Sequence, residues 1–269
     1  MKLLVWLLLV AVTSVYASPN VTVYFETTAD GYDVFADNTE GCPVTVQLDL
    51  TLENLESEKG DHAIIIVPAK AEYFQINTLK IISKLQAHQF SHIVTSYFGD
   101  SNKKEYDAVF EYALPFKKGG SYKLLQPTNT NTGQEKEFAI NFEMPLGTVI
   151  TAVRGGLVIE VVAENEKGCR EEDCNDVKNY ILVYHIDGTF AEYSSLKKEG
   201  ILVAKGDPVK IGQPVGLSDV AGRANRPKLH LEIFLADVSK RKILKTNFLL
   251  GNGSDYGILL EGATYTRNY

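Results

Sequence analysis

The stretch that decides the fold begins NFEMPLGTVITAVRGGLVIEVV at Asn141 and continues NYILVYHIDGTFAEYSSL from Asn179. It goes on as VAKGDPVKIGQPVGLS from Val203 and ends as RPKLHLEIF from Arg226. Short apolar runs alternate with glycine turns throughout, and the 3.6-residue periodicity of helices is almost absent. This pattern predicts a compact antiparallel β-domain with a groove over residues 137–235.

These segments resemble the lysostaphin/LytM-type peptidoglycan metalloendopeptidases. The patterns of that family read roughly DFAxPxGTPVxAxxxGxV, NxVxIxHxDGxxxxYxHL, VxxGDxVxxGQxIGxSGxTG and GPHLHFE. The same segments occur here in the same order, with their glycine and proline positions in register. The resemblance implies a LytM-type domain and, for active members, cleavage of peptide cross-links in peptidoglycan.

The chemistry of the resembled enzymes depends on zinc. The resemblance implies that a histidine, an aspartate and the second histidine of HxH hold the metal, while two further histidines face its bound water. Here Asn141 stands at the aspartate position, and Lys228 and Ser195 replace the two water-facing histidines. No histidine occurs in residues 132–137, where the first ligand is expected, so His230 is the single match to a metal ligand.

One ligand of three cannot assemble the usual zinc site, so no cofactor and no confident catalytic residue are predicted. The resemblance implies instead a degenerate domain, which in this family can activate other hydrolases. Its partner would be peptidoglycan or a cell-wall hydrolase. The alternative is an active zinc endopeptidase with a rearranged ligand set, in which carboxylates substitute for the missing ligands: Glu135, Glu137, Glu143 and Asp219.

Four residues are predicted to line the groove: His185, Tyr193, Lys228 and His230. His185 has a structural interpretation as well, as the residue that holds the following Asp-Gly turn. Strand alternation puts residues 228, 230 and 232 on one face, so Lys228 is expected to pair with Glu232 or Glu143.

Residues 18–110 are predicted to form a separate β-domain. About seven short runs rich in Val, Ile, Thr, Tyr and Phe are separated by turn residues, which favours an antiparallel sandwich of immunoglobulin-like size. An extension of one larger sheet is the alternative, and this part could carry the function through protein contacts. Residues 111–136 are predicted to be a linker with an entry strand, followed by an exposed loop. Residues 236–269 are predicted to be a tail whose runs LKTNFLL and YGILL add a strand. The predicted fold class is therefore all-β.

The first 17 of the 269 residues are predicted to be a secretory signal peptide. Lys2 precedes an apolar stretch, and Ala17 ends a small-residue cleavage motif. The apolar stretch is shorter than the roughly 20 residues of a membrane span, and no later segment qualifies. The protein is expected to be secreted or periplasmic. Its net charge of −7 argues against nucleic-acid binding.

Export permits disulfide bonds. Cys169 and Cys174 lie in the short polar segment GCREEDCND and are predicted to pair. Cys42 is left over and is predicted to be a buried free thiol, with an intermolecular bridge as the alternative.

Overall fold

The computed structural model describes residues 18–125, 138–165, 178–219 and 227–269. Every helix or strand element in these ranges is a β-strand, which confirms the all-β prediction. No helix in them is long and apolar enough to cross a membrane. The predicted signal peptide, the Cys169–Cys174 pair and part of the predicted linker lie outside the described residues.

Seven strands form the N-terminal part in two sheets, ordered β1-β2-β6-β4 and β5-β3-β7. Alternating apolar residues of both sheets, such as Val34, Val46 and Ile76, are buried in one hydrophobic cluster. The two sheets therefore enclose a common core. The strands are β1 Val21–Thr28, β2 Gly31–Asn38, β3 Val44–Glu53, β4 Leu55–Ser57, β5 His62–Val67, β6 Phe74–Ile81 and β7 Gln89–Phe98.

A nine-stranded sheet forms the body of the C-terminal part, in the order β16-β12-β13-β14-β18-β10-β9-β22, with β19 paired to β18. One face of it buries alternate apolar residues, among them Val183, Tyr193 and Leu231. The residues between them point to the opposite face, which carries the candidate site. The strands are β9 Ser121–Leu124, β10 Ile140–Glu143, β12 Gly156–Val162, β13 Tyr180–Tyr184, β14 Phe190–Ser194, β16 Pro208–Val209, β18 Lys228–Leu235, β19 Lys242–Ile243 and β22 Thr264–Thr266.

Two three-stranded sheets complete the C-terminal part, ordered β11-β17-β15 and β21-β20-β8. Their strands are β8 Glu111–Tyr112, β11 Val149–Thr151, β15 Leu196–Ile201, β17 Pro214–Ser218, β20 Asn247–Leu250 and β21 Asp255–Gly257.

The predicted linker and tail differ from what the structure shows. Residues 111–112 and 121–124 are two strands rather than one entry strand, and the tail contributes four strands rather than one. β20 pairs in parallel with β8, and β22 pairs with β9. The partners are more than a hundred residues apart in sequence, and apolar residues such as Tyr112 and Phe248 become buried through this pairing. Burial of those residues explains why both segments belong to the C-terminal fold.

The two parts meet along a hydrophobic cluster that includes Cys42 and Phe98 on one side and Phe190 and Phe234 on the other. Glu40, which is buried, also binds the Lys205 ammonium at 2.8 Å. Cys42 is a buried free thiol, as predicted. Burial raises the pKa of that thiol to about 12.

Candidate functional site

Three neighbouring strands bring the key positions together on one sheet face. In the antiparallel register, His230 of β18 lies opposite Asn141 of β10 and opposite Ser194 of β14. Directly opposed residues in antiparallel strands have Cβ atoms about 5 Å apart, so their side chains can touch. Two positions that the sequence singled out, Asn141 and His230, are therefore neighbours although 89 residues separate them.

The His230 ring contacts a side chain through each of its nitrogens. Nδ1 lies 2.9 Å from Oδ1 of Asn141, and Nε2 lies 3.0 Å from Oε1 of Glu232. Both partner atoms are oxygens, and a neutral imidazole carries one N–H, so the tautomer decides which of the two contacts the ring donates. A histidine that binds zinc must offer a lone pair from one of its ring nitrogens.

Glu232 extends this contact into a network of ion pairs. Its second oxygen lies 3.5 Å from Nη1 of Arg241, and Arg241 also binds the fully buried Glu192. Lys178 contacts the other oxygen of Glu192 at 2.8 Å. The network crosses strands β14 and β18 and joins them to residues 178 and 241, just outside the neighbouring strands.

The pKa values of both carboxyls follow from this network. Burial of Glu232 opposes its ionisation, but the hydrogen bond and charge of His230, with the charges of Lys178 and Arg241, lower its pKa to about 2. Burial likewise opposes ionisation of Glu192, and the charges of Arg241 and Lys178 still hold its pKa below the ordinary value. Both groups are carboxylates at neutral pH.

Lys228 and Ser195 lie close to this arrangement. Lys228 is directly opposite Glu143 in the β10–β18 register, and its backbone forms a bridge with Asp219. Glu143, one of the two acids expected to pair with Lys228, is thus its cross-strand neighbour, whereas Glu232 contacts His230 and Arg241. Ser195 is buried with a φ of 67°, and its carbonyl accepts the Asp219 N–H.

Two residues predicted to line the groove do not reach it. Tyr193 is fully buried on the core face, where its hydroxyl accepts the Val153 N–H at 2.9 Å. His185 is also fully buried, and its Nδ1 lies 2.9 Å from the Thr189 hydroxyl. Burial and the charge of Arg154 lower the pKa of His185 to about 3. The structural interpretation of His185, as the residue that holds the following turn, agrees with these contacts.

The described residues around His230 do not fit a zinc ion. Within the four described ranges, no group of three His, Cys, Asp or Glu side chains could hold a metal. Asn141 offers a neutral amide oxygen, and both nitrogens of His230 already face acceptors. The possible substitutes Glu135 and Glu137 lie outside the described residues.

Comparison with protein families identifies the domain. Residues 135–241 match the model of Peptidase family M23. This chain contains an M23 peptidase domain. The matched residues include Asn141, Ser195, Lys228 and His230, so the altered positions lie within the M23 domain itself.

Two curated proteins are similar to this chain in sequence. An "Uncharacterized metalloprotease" of Buchnera aphidicola subsp. Baizongia pistaciae is 27% identical over 229 residues, which are 80% of this chain and 56% of the relative. Peptidoglycan DD-endopeptidase ShyA of Vibrio cholerae is 33% identical over 95 residues, 35% of this chain and 19% of that protein. The chain thus spans about half of one relative and a fifth of the other.

Among solved structures, the catalytic domain of lysostaphin from Staphylococcus simulans is 24% identical. The match covers 50% of this chain and 90% of that chain, with a TM-score of 0.33.

Sequence reasoning missed the ion-pair network around Glu192. One signal was available, because Glu192 is a charged residue in the centre of a strand whose other members are all buried. A buried charge needs a partner. Its partners Lys178 and Arg241 lie in segments that carry no motif.

Proposed function

We propose that this protein is an exported M23-type module that does no zinc chemistry and binds peptidoglycan or regulates a cell-wall hydrolase. The observation that carries the proposal is the pair of contacts on His230. Asn141 and Glu232 occupy both ring nitrogens, where a zinc ligand needs one of them free.

Two further positions support the absence of hydrolysis. A zinc hydrolase needs groups near the metal-bound water that can move a proton. Lys228 carries an ammonium in place of the imidazole that the resemblance implies, and the Ser195 hydroxyl does not titrate in the neutral range. Neither residue can act as a general base at neutral pH as an imidazole would.

Peptidoglycan is proposed as the ligand because of the relatives. The Vibrio protein is named a peptidoglycan DD-endopeptidase, and it is 33% identical to this chain over 95 residues. A partly exposed sheet face bearing His230, Lys228 and Glu143 could contact a peptide stem without cutting it. Peptidoglycan lies outside the cytoplasm, which agrees with the predicted signal peptide and a secreted or periplasmic location.

Metal analysis of the purified protein tests the first half of the proposal. We expect far less than one zinc per chain, and the same content in His230→Ala. One zinc per chain that disappears in His230→Ala would contradict the proposal. The active endopeptidase with a rearranged ligand set would then be the correct description.

Assays on isolated peptidoglycan test the second half. We expect the protein to sediment with peptidoglycan, or to change the rate of an added cell-wall hydrolase, while releasing no fragments alone. Lys228→Gln should weaken this effect, and Lys117→Gln, at an exposed lysine outside the strands of the site, should not. Release of fragments by the protein alone, or equal behaviour of the two variants, would contradict the proposal.

A further inference from the structure

A partly exposed cluster of aromatic and acidic side chains lies on the N-terminal part, with Glu26 and Tyr73 exposed and Phe35 buried beneath Tyr73. It occupies the solvent side of the sheet β1-β2-β6-β4, opposite the buried cluster. We call it the aromatic–acidic face, and its members are Tyr24, Glu26, Asp33, Phe35, Asp37 and Tyr73. In the β1–β2 register Tyr24 lies opposite Phe35, and Glu26 lies opposite Asp33.

Tyr73 is the centre of this face. Its ring stacks on Phe35 with centroids 4.1 Å apart and planes 22° apart. Its hydroxyl donates to Glu26 at 2.5 Å, and its backbone N–H donates to Asp37 at 2.7 Å. One face of the ring is therefore packed, and hydrogen bonds fix the residue at its hydroxyl and at its backbone N–H. The residue nevertheless remains 56% exposed. The other side of the ring is a fixed surface open to solvent.

The three carboxylates around Tyr73 are not neutralised by the protein. Glu26 and Asp37 accept hydrogen bonds from tyrosine hydroxyls, and Asp33 accepts them from Gln75 and Thr78. All of these donors are neutral. Within the part of the chain that the structure describes, no lysine, arginine or histidine forms an ion pair with any of the three.

An exposed aromatic ring and unpaired carboxylates favour the same kind of ligand. The face of an aromatic ring carries negative charge in its quadrupole and attracts a cation placed over it. The neighbouring carboxylates add a negative potential and can accept hydrogen bonds from the cation. A neutral sugar would gain the stacking but not the electrostatic attraction, and an anionic polymer would be repelled.

We propose that the aromatic–acidic face binds a basic segment of a partner protein, with an arginine or lysine side chain stacked on Tyr73. Arginine suits the site best, because its flat guanidinium can lie on the ring and donate to carboxylates at its edge. This interaction is independent of the M23 domain and of any ligand on it.

Titration calorimetry with short peptides on the purified full-length protein tests the charge requirement. The probe is an end-blocked tetra-arginine peptide, and the control is the tetra-citrulline peptide, which has nearly the same shape without charge. We expect the arginine peptide to bind at least tenfold more tightly, with an affinity that falls as salt rises. Equal binding of the two peptides would overturn the proposal, as would binding of a neutral N-acetylglucosamine tetrasaccharide in place of the arginine peptide.

Variants test whether binding occurs at this face rather than across an acidic protein in general. Tyr73→Ala should weaken tetra-arginine binding about fivefold, as expected for a cation over an exposed ring. Tyr256→Ala, at a similarly exposed tyrosine of β21, should leave it unchanged. Asp33→Asn should also weaken binding, and Glu261→Gln should not. The proposal would be overturned if the two tyrosine variants had equal effects on binding, or if the two acidic-residue variants did. If Tyr73→Ala does not fold, the comparison of Asp33→Asn with Glu261→Gln decides.

Discussion

At the scale of single residues, Glu192 shows how the M23 domain tolerates a charge in its sheet. The carboxylate is fully buried and lies between Lys178 and Arg241, which are both partly exposed. Removing one partner of a buried pair usually costs more than the pair itself contributes, because the remaining charge loses its compensation. Removing the Glu192 carboxylate would leave both Lys178 and Arg241 without the negative charge that compensates them.

Glu192→Gln is therefore expected to lower the free energy of unfolding by about 3 kcal/mol at pH 7. The pKa of Glu192 is below its ordinary value, so its stabilisation is complete above that value and is lost as the pH falls through the folded-state pKa. The variant should consequently lose less stability than the native protein between pH 5 and pH 3. Urea unfolding at several pH values measures both effects. Glu261→Gln, at an exposed position, is the control.

His185 contributes to the acid dependence in the same direction, but through a buried neutral ring rather than a buried charge. Its pKa is about 3 in the folded protein, against an ordinary value of 6.5, because burial disfavours the charged ring. Between these values the unfolded chain binds a proton that the folded protein does not, so this residue lowers stability as the pH falls below 6.5. The contribution to the slope approaches 1.4 kcal/mol per pH unit.

NMR of the His185 ring should accordingly show no titration from pH 8 to pH 4, and His185→Asn should reduce the acid slope of unfolding. A ring that titrates near pH 6 would show that the site is open to water.

At the scale of elements, the sequence predicted strands better than it predicted their partners. Alternation and glycine turns sufficed for the strands that carry Asn141 and His230, because both patterns are local. The pairing of β20 with β8 and of β22 with β9 joins segments that are far apart in sequence. Each of these strands has two to four residues, too few for a periodic pattern, so the local signal indicated a strand in each segment but not its partner.

The same limit applied to the candidate site. The family pattern located Asn141, Ser195, Lys228 and His230, because their positions follow from conserved spacing in the resembled enzymes. The burial of Tyr193 and His185 depends on which face of the sheet meets the core, and the family pattern did not specify that face for them. The network of Glu192, Lys178 and Arg241 depends on side chains that meet in space alone.

Tyr269 tests whether the C-terminal segment is structural. Its hydroxyl accepts the buried Leu114 N–H at 2.9 Å and donates to the Leu249 carbonyl at 3.3 Å. Tyr269→Phe leaves that N–H without a partner and should lower the free energy of unfolding by about 1–3 kcal/mol. Tyr256→Phe, at an exposed tyrosine, should change it by less than about 0.5 kcal/mol. Equal losses in the two variants would contradict a structural role for the C-terminal segment.

At the scale of the whole molecule, the contact between its two parts depends on close packing at Gly99. This residue follows β7 with a φ of 94° and lies against Phe190 and Ala236 of the M23 domain. A Cβ added there would lie 2.7 Å from atoms of both residues. That is well inside normal contact distance, so a larger residue would have to separate the two parts or displace the Phe190 ring.

Gly99→Ala and Gly60→Ala together separate backbone strain from this packing. Both glycines have positive φ, and a Cβ on Gly60 would meet nothing within 4 Å. Gly60→Ala should cost about 1 kcal/mol of backbone strain, whereas Gly99→Ala should cost about 1–3 kcal/mol more. Hydrogen exchange should also rise in β14 and at the end of β18 in Gly99→Ala alone, because Phe190 lies in β14 and Ala236 directly follows β18. Equal losses of stability with unchanged exchange would mean that the two parts are not rigidly packed at this point.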